Sequence, residues 1–191
     1  MDKTKDHFVT VVEGNIASGK STLLDYFKDN SNCEDLVHKD AARWGATTQS
    51  YIQLTMAQSH VRSQTERVRL MERSLFSGRY CFIDNLLQSG KMTTIEHSVL
   101  SQWHDWIVDA LQIKVDLYVY LRTDPRVIPD RILKRGRVEE KDIPMKSIES
   151  IHGQHEDLFI RGTKVYKPNV LDFNGELSTW RDRSLWPSFL E

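Results

Sequence analysis

Apolar and polar positions alternate along the chain between two periods, one of strands and one of helices. Phe8–Glu13 is a short β-branched run closed by Gly14, which reads as a buried strand. "GKSTLLDYFKDN" then carries Leu23, Leu24 and Phe27 at helical spacing. From Lys39 to about Thr65 there is no proline, and Trp44, Tyr51, Leu54 and Met56 recur at helical spacing. "VRLMER", residues 68 to 73, reads as a second short strand. "SLFSGRYCFIDNLLQSG" contains a strand-like "YCFID", but Phe76, Tyr80, Ile83 and Leu87 fit one helix face and Gly90 suits a stop, so helix is favoured. "VLSQWHDWIVDALQ" is an amphipathic helix, and "VDLYVYLRT", 115 to 123, is the clearest strand. A basic helix around Ile128–Arg137, a helix from about Pro144 to Ile160 and a short strand "NVLDFN" complete the pattern. Pro129 kinks the basic helix if that helix begins at Pro125, and is well placed if it begins at Pro129.

Strands alternating with helices predict an α/β fold with a mainly parallel sheet, and 191 residues suit one domain spanning 1–191. There is no repeat or low-complexity tract. Lys plus Arg (26) nearly balances Asp plus Glu (27), for a net charge of -1. That balance argues against a nucleic-acid partner or a membrane-surface role, which draw on a dominant basic face. No apolar stretch approaches the roughly 20 residues of a membrane helix. "MDKTKDHF" resembles neither a signal peptide nor a transit sequence, and two cysteines, Cys33 and Cys81, suit a reduced compartment. The expectation is a cytoplasmic protein.

Gly14-Asn15-Ile16-Ala17-Ser18-Gly19-Lys20-Ser21 fits G-x-x-x-x-G-K-[ST], with Thr22 next on the helix. The glycines let the loop curl so that successive N–H groups surround an anion, and the helix N-terminus adds its dipole. Lys20 reaches the terminal phosphates and the Ser21 hydroxyl can sit on Mg²⁺. Placed between a predicted strand and a predicted helix, the motif points to ATP or GTP. A GTPase switch needs a guanine-reading N-K-x-D, which is absent. A motor or helicase needs an aspartate ending a hydrophobic strand, and "YCFID" is better read as helix. A small-molecule kinase needs arginines that close over the transferred phosphoryl group. "RILKRGR" supplies Arg131 and Arg135 on one helix face and Arg137 after Gly136, a candidate lid.

"EGNIASGKST", "DAARWGATTQSYIQLTM", "VRLMERSLFSGRYCFIDNL", "VDLYVYLRTDP", "RGRVEEKDIP" and "IHGQHEDLFI" together resemble the deoxynucleoside kinases, in family order and over most of residues 8 to 177. The likeness is to the mitochondrial-type thymidine kinases and the insect multisubstrate enzymes. It implies a P-loop three-layer sandwich with helices on both faces and an arginine-rich lid. The implied reaction moves the ATP γ-phosphate to the 5′-hydroxyl of a deoxynucleoside, with Mg²⁺, in a homodimer. It also implies roles. Gln49 pairs with the base edge, since an amide sets donor beside acceptor. Phe82 stacks on the base. Glu72 and Arg73 flank the 5′-hydroxyl, where a carboxylate takes the proton or helps hold Mg²⁺ and an arginine stabilises developing charge. Glu140 accepts from the sugar 3′-hydroxyl, Arg131, Arg135 and Arg137 form the lid, and Gly175, Glu176 and Leu177 contact adenine. Met56 and Gly78 make an apolar, roomy wall suited to the thymine methyl, so thymidine is expected first and deoxycytidine second. One methyl is worth only about 1–3 kcal/mol, so range can be broad.

The family normally places another strand, ending in Glu-Pro-Val, before "VHKDAARWG", and its glutamate is usually taken as the general base. Here the join is only "KDNSNCEDL". His38 stands where the family has a tyrosine near the sugar. Either Glu72 serves as base alone, or Glu34 or Asp35 substitutes; otherwise the chain is a catalytically weak nucleotide-binding relative. A nucleoside monophosphate kinase shares loop and lid and is the alternative enzyme. His152 and His155, three apart, read as helix residues rather than metal ligands.

Overall fold

A computed structural model describes residues 8–20, 40–137, 140–164 and 168–174. Its strands are β1 (Phe8–Gly14), β2 (Val68–Glu72), β3 (Leu117–Arg122) and β4 (Val170–Asn174). They form one parallel sheet in the order β2–β1–β3–β4, as the alternation of periods predicts for an α/β fold. The helices are α1 (Ala41–Val61), α2, α3 (Thr94–Ala110), α4 (Ile128–Arg135) and α5 (Met145–His155). Helix α2 joins Leu75–Ser77, a π-helical stretch Gly78–Ile83 and Asp84–Gln88, and α5 runs into a second π-helical stretch, Glu156–Ile160.

Side chains alternate across the sheet. Val11, Met71, Tyr118 and Tyr120 face a core completed by Leu75, Phe76 and Cys81 of α2 and by Leu158 and Phe159. Val12, Val119 and Leu121 cluster on the opposite face. With strands buried on both faces, the apolar runs are nearly continuous rather than alternating. The helix over Ser21 to Asn30 falls outside the described residues, as does the layer it was expected to add.

Local chemistry sets the helix ends. Asp40 caps α1, accepting from the Arg43 N–H at 3.0 Å. Thr93 and Glu96 form a reciprocal capping box at α3. Helix α4 begins at Ile128, so Pro129 lies in its first turn, where a missing N–H costs nothing. It ends at Arg135, two residues before the expected Arg137, because Gly136 takes a left-handed φ of 74° and caps it.

Two helix faces depart from expectation. Tyr51 and Leu54 of α1 are exposed, whereas Gly45, Thr48, Gln49, Gln53 and Ala57 are buried. The inward stripe is largely polar, so an apolar periodicity picks the wrong side. In α2 the deeply buried leucine is Leu86, not Leu87. Leu86 packs with Ile83, Met92 and Leu100 in a cluster separate from that of Phe76. Asp84 pins α2 to its neighbours, accepting from His97 at 2.9 Å and from Lys164 at 3.0 Å, and pairs with Arg79 within α2.

Candidate active site

The strand order places β1 between β2 and β3, so the chain leaves β1 to one side for β2 and returns on the other for β3. In open parallel sheets the crevice at the carboxyl ends of the strands, where the order reverses, is where ligands bind. The phosphate loop lies there. Gly14 has φ 147°, and a Cβ on it would meet Ser18 Oγ at 2.6 Å and the Leu121 carbonyl at 2.8 Å, so only glycine fits. Gly19 has φ 102° and Ala17, without glycine's freedom, has φ 52°. Asn15 Nδ2 donates to the Ile148 carbonyl at 3.0 Å, tying the loop to α5. Lys20 is buried, its Nζ donating to the carbonyls of Gly14 at 3.0 Å and Asn15 at 2.7 Å. Ser21 and Thr22 lie outside the described residues.

The same sheet end carries Glu72 and Arg73. The β1–β2 register sets Val12 opposite Glu72, and the Arg73 N–H extends the ladder to the Val12 carbonyl at 3.0 Å. Glu72 is exposed at the strand tip. Arg73 has φ 61°, an uncommon conformation for a non-glycine residue. Its guanidinium lies over the Phe82 ring, 4.5 Å from the centroid.

Gln49 and Met56 are on α1, which packs on the π-helical stretch carrying Gly78 and Phe82. Gln49 is buried, and its Oε1 has no hydrogen-bond partner among the described residues. A buried amide oxygen without a partner is costly unless a ligand supplies one. Met56 and Phe82 are half-buried against the main core. A Cβ on Gly78 would meet nothing within 4 Å, so the wall is open at that point.

The candidate lid is seated on the phosphate loop. Ile128 and Ile132 of α4 pack with Ile148, and Ile16 and Ala17 pack against that cluster. Arg131 Nη1 donates to Thr123 Oγ1 at 3.5 Å. Arg135 and Arg137 converge instead on Glu140, each with a nitrogen 3.4 Å from Oε1. Glu140 is buried, and its Oε2 has no partner among the described residues. His38, Gly175, Glu176, Leu177, Glu34 and Asp35 lie outside the described residues.

Two further residues belong to this region: Glu13, to which sequence reasoning assigns no role, and His155, read there as a helix residue, as it is. Glu13, at the end of β1, is fully enclosed and accepts from Ser74 Oγ at 2.7 Å. Burial pushes its carboxyl up to about 7, against the pull of the Ser74 and Ser77 hydroxyls and of Arg73 and Lys20. The signal was an acid in a β-branched strand, two residues after Val11 and so on the same face. His155 is also enclosed, stacked on Tyr120 at 6.0 Å and edge-on to Phe82 at 5.9 Å. Its Nδ1 donates to the Ile151 carbonyl at 2.8 Å. Burial holds it down to about 3, so it is neutral. His152 faces Glu156 at 3.8 Å, and no metal cage of three or more His, Cys, Asp or Glu side chains forms among the described residues.

The sequence matches a family model described as deoxynucleoside kinase over residues 25–184. Among its relatives, the mitochondrial thymidine kinase 2 of Homo sapiens is 46% identical over 173 residues, covering 81% of this chain and 65% of that protein. The deoxycytidine kinase of Mus musculus is 30% identical, covering 80% and 75%. A probable deoxycytidine kinase of fowlpox virus is 29% identical, covering 86% and 77%. The chain thus spans only 65% of the length of the human thymidine kinase. The human alignment takes in 173 residues but only 81% of this chain's 191, so that relative carries residues within it that this chain lacks, in keeping with the short join before His38. The family match covers most of the chain and begins beyond the phosphate loop, whose geometry agrees with it independently: this protein belongs to the deoxynucleoside kinase family.

Proposed function

We propose that the protein transfers the γ-phosphoryl group of ATP to the 5′-hydroxyl of a pyrimidine deoxynucleoside, thymidine before deoxycytidine. The observation that carries this reading is the β1–β2 register, Val12 opposite Glu72, which brings a phosphate loop and a carboxylate–arginine pair side by side at the carboxyl end of the sheet, next to its switch point between β1 and β3. Phosphoryl transfer needs chiefly such positioning and charge neutralisation.

In this account Lys20 leaves the loop carbonyls for the terminal phosphates, and the loop N–H groups hold the rest of the triphosphate. Glu72 takes the 5′-hydroxyl proton as the 5′-oxygen bonds to the γ-phosphorus and the bond to the β–γ bridging oxygen breaks, giving ADP and the nucleoside 5′-monophosphate. Arg73 and the lid arginines Arg131, Arg135 and Arg137 balance the charge on the moving group. Glu140 offers its unpartnered Oε2 to the 3′-hydroxyl. Gln49 accepts from thymine N3–H and donates to O4, or after an amide flip donates to cytosine N3 and accepts from N4. Phe82 stacks on the base, and the open space at Gly78 beside Met56 receives the 5-methyl. Mg²⁺ travels with phosphates and takes few protein carboxylates. Glu72, an exposed hard oxygen donor beside the loop, fits it, and with Ser21 would hold the ion, which supplies further neutralisation of phosphate charge.

A homodimer completes the proposal. Ile95, Val99, Trp103 and Trp106 lie exposed along α3, an unusual density of apolar surface on one helix. Sedimentation at micromolar concentration is expected to give twice the chain mass. The function is tested by supplying ATP with thymidine, deoxycytidine or thymidine monophosphate. Turnover of the two nucleosides is expected, with thymidine the better substrate. Turnover of the monophosphate alone supports a nucleoside monophosphate kinase instead, and ATP binding without product a nucleotide-binding protein.

A further inference from the structure

Glu13 has no exposed surface, and only one of its oxygens is engaged. Ser74 Oγ donates to Oε1 at 2.7 Å, whereas Oε2 has no partner among the described residues. A carboxyl at such a position in a strand needs a reason, since enclosing an ionised group without a partner is expensive. Its surroundings supply one. Ser74 and Ser77 face it from the start of α2, Arg73 from the turn after β2 and Lys20 from the phosphate loop. Cys81 of the π-helical stretch and Tyr120, opposite Glu13 in the β1–β3 register, are further titratable neighbours among the described residues, and burial pushes both up, so both are neutral. The two cations around Glu13 are thus the same two that phosphate transfer claims.

We propose that Glu13 is a positioning residue of the transfer site: its carboxyl holds Ser74 and the left-handed turn at Arg73, and it binds a proton when the phosphates of ATP engage Lys20 and Arg73. Ionised, Glu13 competes with the phosphates for both cations. Neutral, it still accepts from Ser74 and leaves the cations to the nucleotide. A triphosphate on Lys20 brings negative charge close to Glu13 and draws the lysine away from it. Both effects favour the protonated carboxyl, and the proton comes from the buffer. The carboxyl titrates near neutral pH, so the free protein holds this proton only part of the time. The inference rests on the reading of residues 14–21 as an ATP site, not on the choice of nucleoside.

The test is calorimetric titration of ATP into the nucleoside-free protein at pH 7, in buffers of differing ionisation enthalpy, which yields the protons taken up. Glu13→Gln keeps the size and the acceptor for Ser74 but cannot titrate. The wild type is expected to take up roughly 0.3–0.5 proton more than Glu13→Gln. Ser74→Ala removes a bond that favours the ionised form, so its pH of greatest uptake is expected to lie above that of the wild type. Equal uptake by the wild type and Glu13→Gln, or an unmoved optimum in Ser74→Ala, overturns the inference. A purely structural role for Glu13 lowers the melting temperature of Glu13→Gln without producing this difference. Should Glu13→Gln not fold, the Ser74→Ala optimum decides. Absence of ATP binding by the wild type overturns the phosphate-site reading as well, whereas binding with equal uptake overturns only the role of Glu13.

Discussion

Arg73 lies over the Phe82 ring, its guanidinium carbon 4.5 Å from the centroid, and so joins the two residues proposed for the reacting end and the base end of a nucleoside site. The contact holds an arginine whose backbone is already in the left-handed region, at φ 61°. A cation over an aromatic face contributes about 0.5–2 kcal/mol depending on desolvation.

Phe82→Leu keeps most of the volume and removes the ring. Stacking on one base is worth about 1–3 kcal/mol, so KM for thymidine is expected to rise roughly tenfold or more. The loss of support for Arg73 lowers kcat as well, while KM for ATP stays within about twofold of wild type. Steady-state kinetics in both substrates checks this. An unchanged thymidine KM takes Phe82 out of the base site.

Glu72→Gln leaves the strand tip intact and removes the basic oxygen. Loss of a positioned base costs about 10²–10⁴-fold, and the loss is expected in kcat rather than in KM. An unchanged kcat would transfer the role of base to another group, with Glu34 and Asp35 the candidates in the short join.

Ala17 occupies a left-handed position at φ 52° within the phosphate loop. That conformation costs an alanine about 1–2 kcal/mol, and glycine's extra unfolded-state entropy returns about 0.5–1 kcal/mol of the gain. Ala17→Gly is therefore expected to raise unfolding stability by roughly 0.5–1 kcal/mol, measured by denaturant titration. Lower stability would mean that the packing of Ala17 against the Ile128–Ile132–Ile148 cluster outweighs the strain.

His155 is neutral in the fold because burial holds it at about 3, against 6.5 when unfolded. Between those values the unfolded chain binds a proton that the native protein refuses, so stability falls as pH drops from 6.5 toward 3. Glu13 has the opposite slope between 4.5 and about 7, where the native state holds the extra proton. His155→Phe fits the aromatic surroundings of Tyr120, Phe82 and Phe159 and removes the first effect alone. Its melting temperature is expected to fall less between pH 6.5 and 4.5 than that of the wild type. Equal falls would place the acid sensitivity elsewhere, with His60, held down to about 4 by burial and by Arg69, the next candidate.

The phosphate loop was legible because its chemistry is carried by glycine spacing, which only a few backbone shapes satisfy. The strands were legible because burial on both faces writes continuous apolar runs. Helix α1 was misread in its facing because its inward stripe, Thr48, Gln49 and Gln53, is polar, and periodicity rules assume an apolar interior. Helix α2 is legible as a helix, but it packs Phe76 and Leu86 into two different clusters, which one periodic stripe cannot show. Glu13 escaped notice because an acid before a glycine resembles a strand boundary; only its parity with Val11 marks it as interior. The convergence of Arg135 and Arg137 on Glu140 depends on the left-handed cap at Gly136, whose geometry folds the chain back after α4.

Transfer of a phosphoryl group to a nucleoside hydroxyl is read out by product analysis with γ-labelled ATP and thymidine. The wild type is expected to yield labelled thymidine 5′-monophosphate, and Lys20→Ala none above background. Label that remains in ATP or appears only as inorganic phosphate, with ATP binding intact, would contradict this transfer.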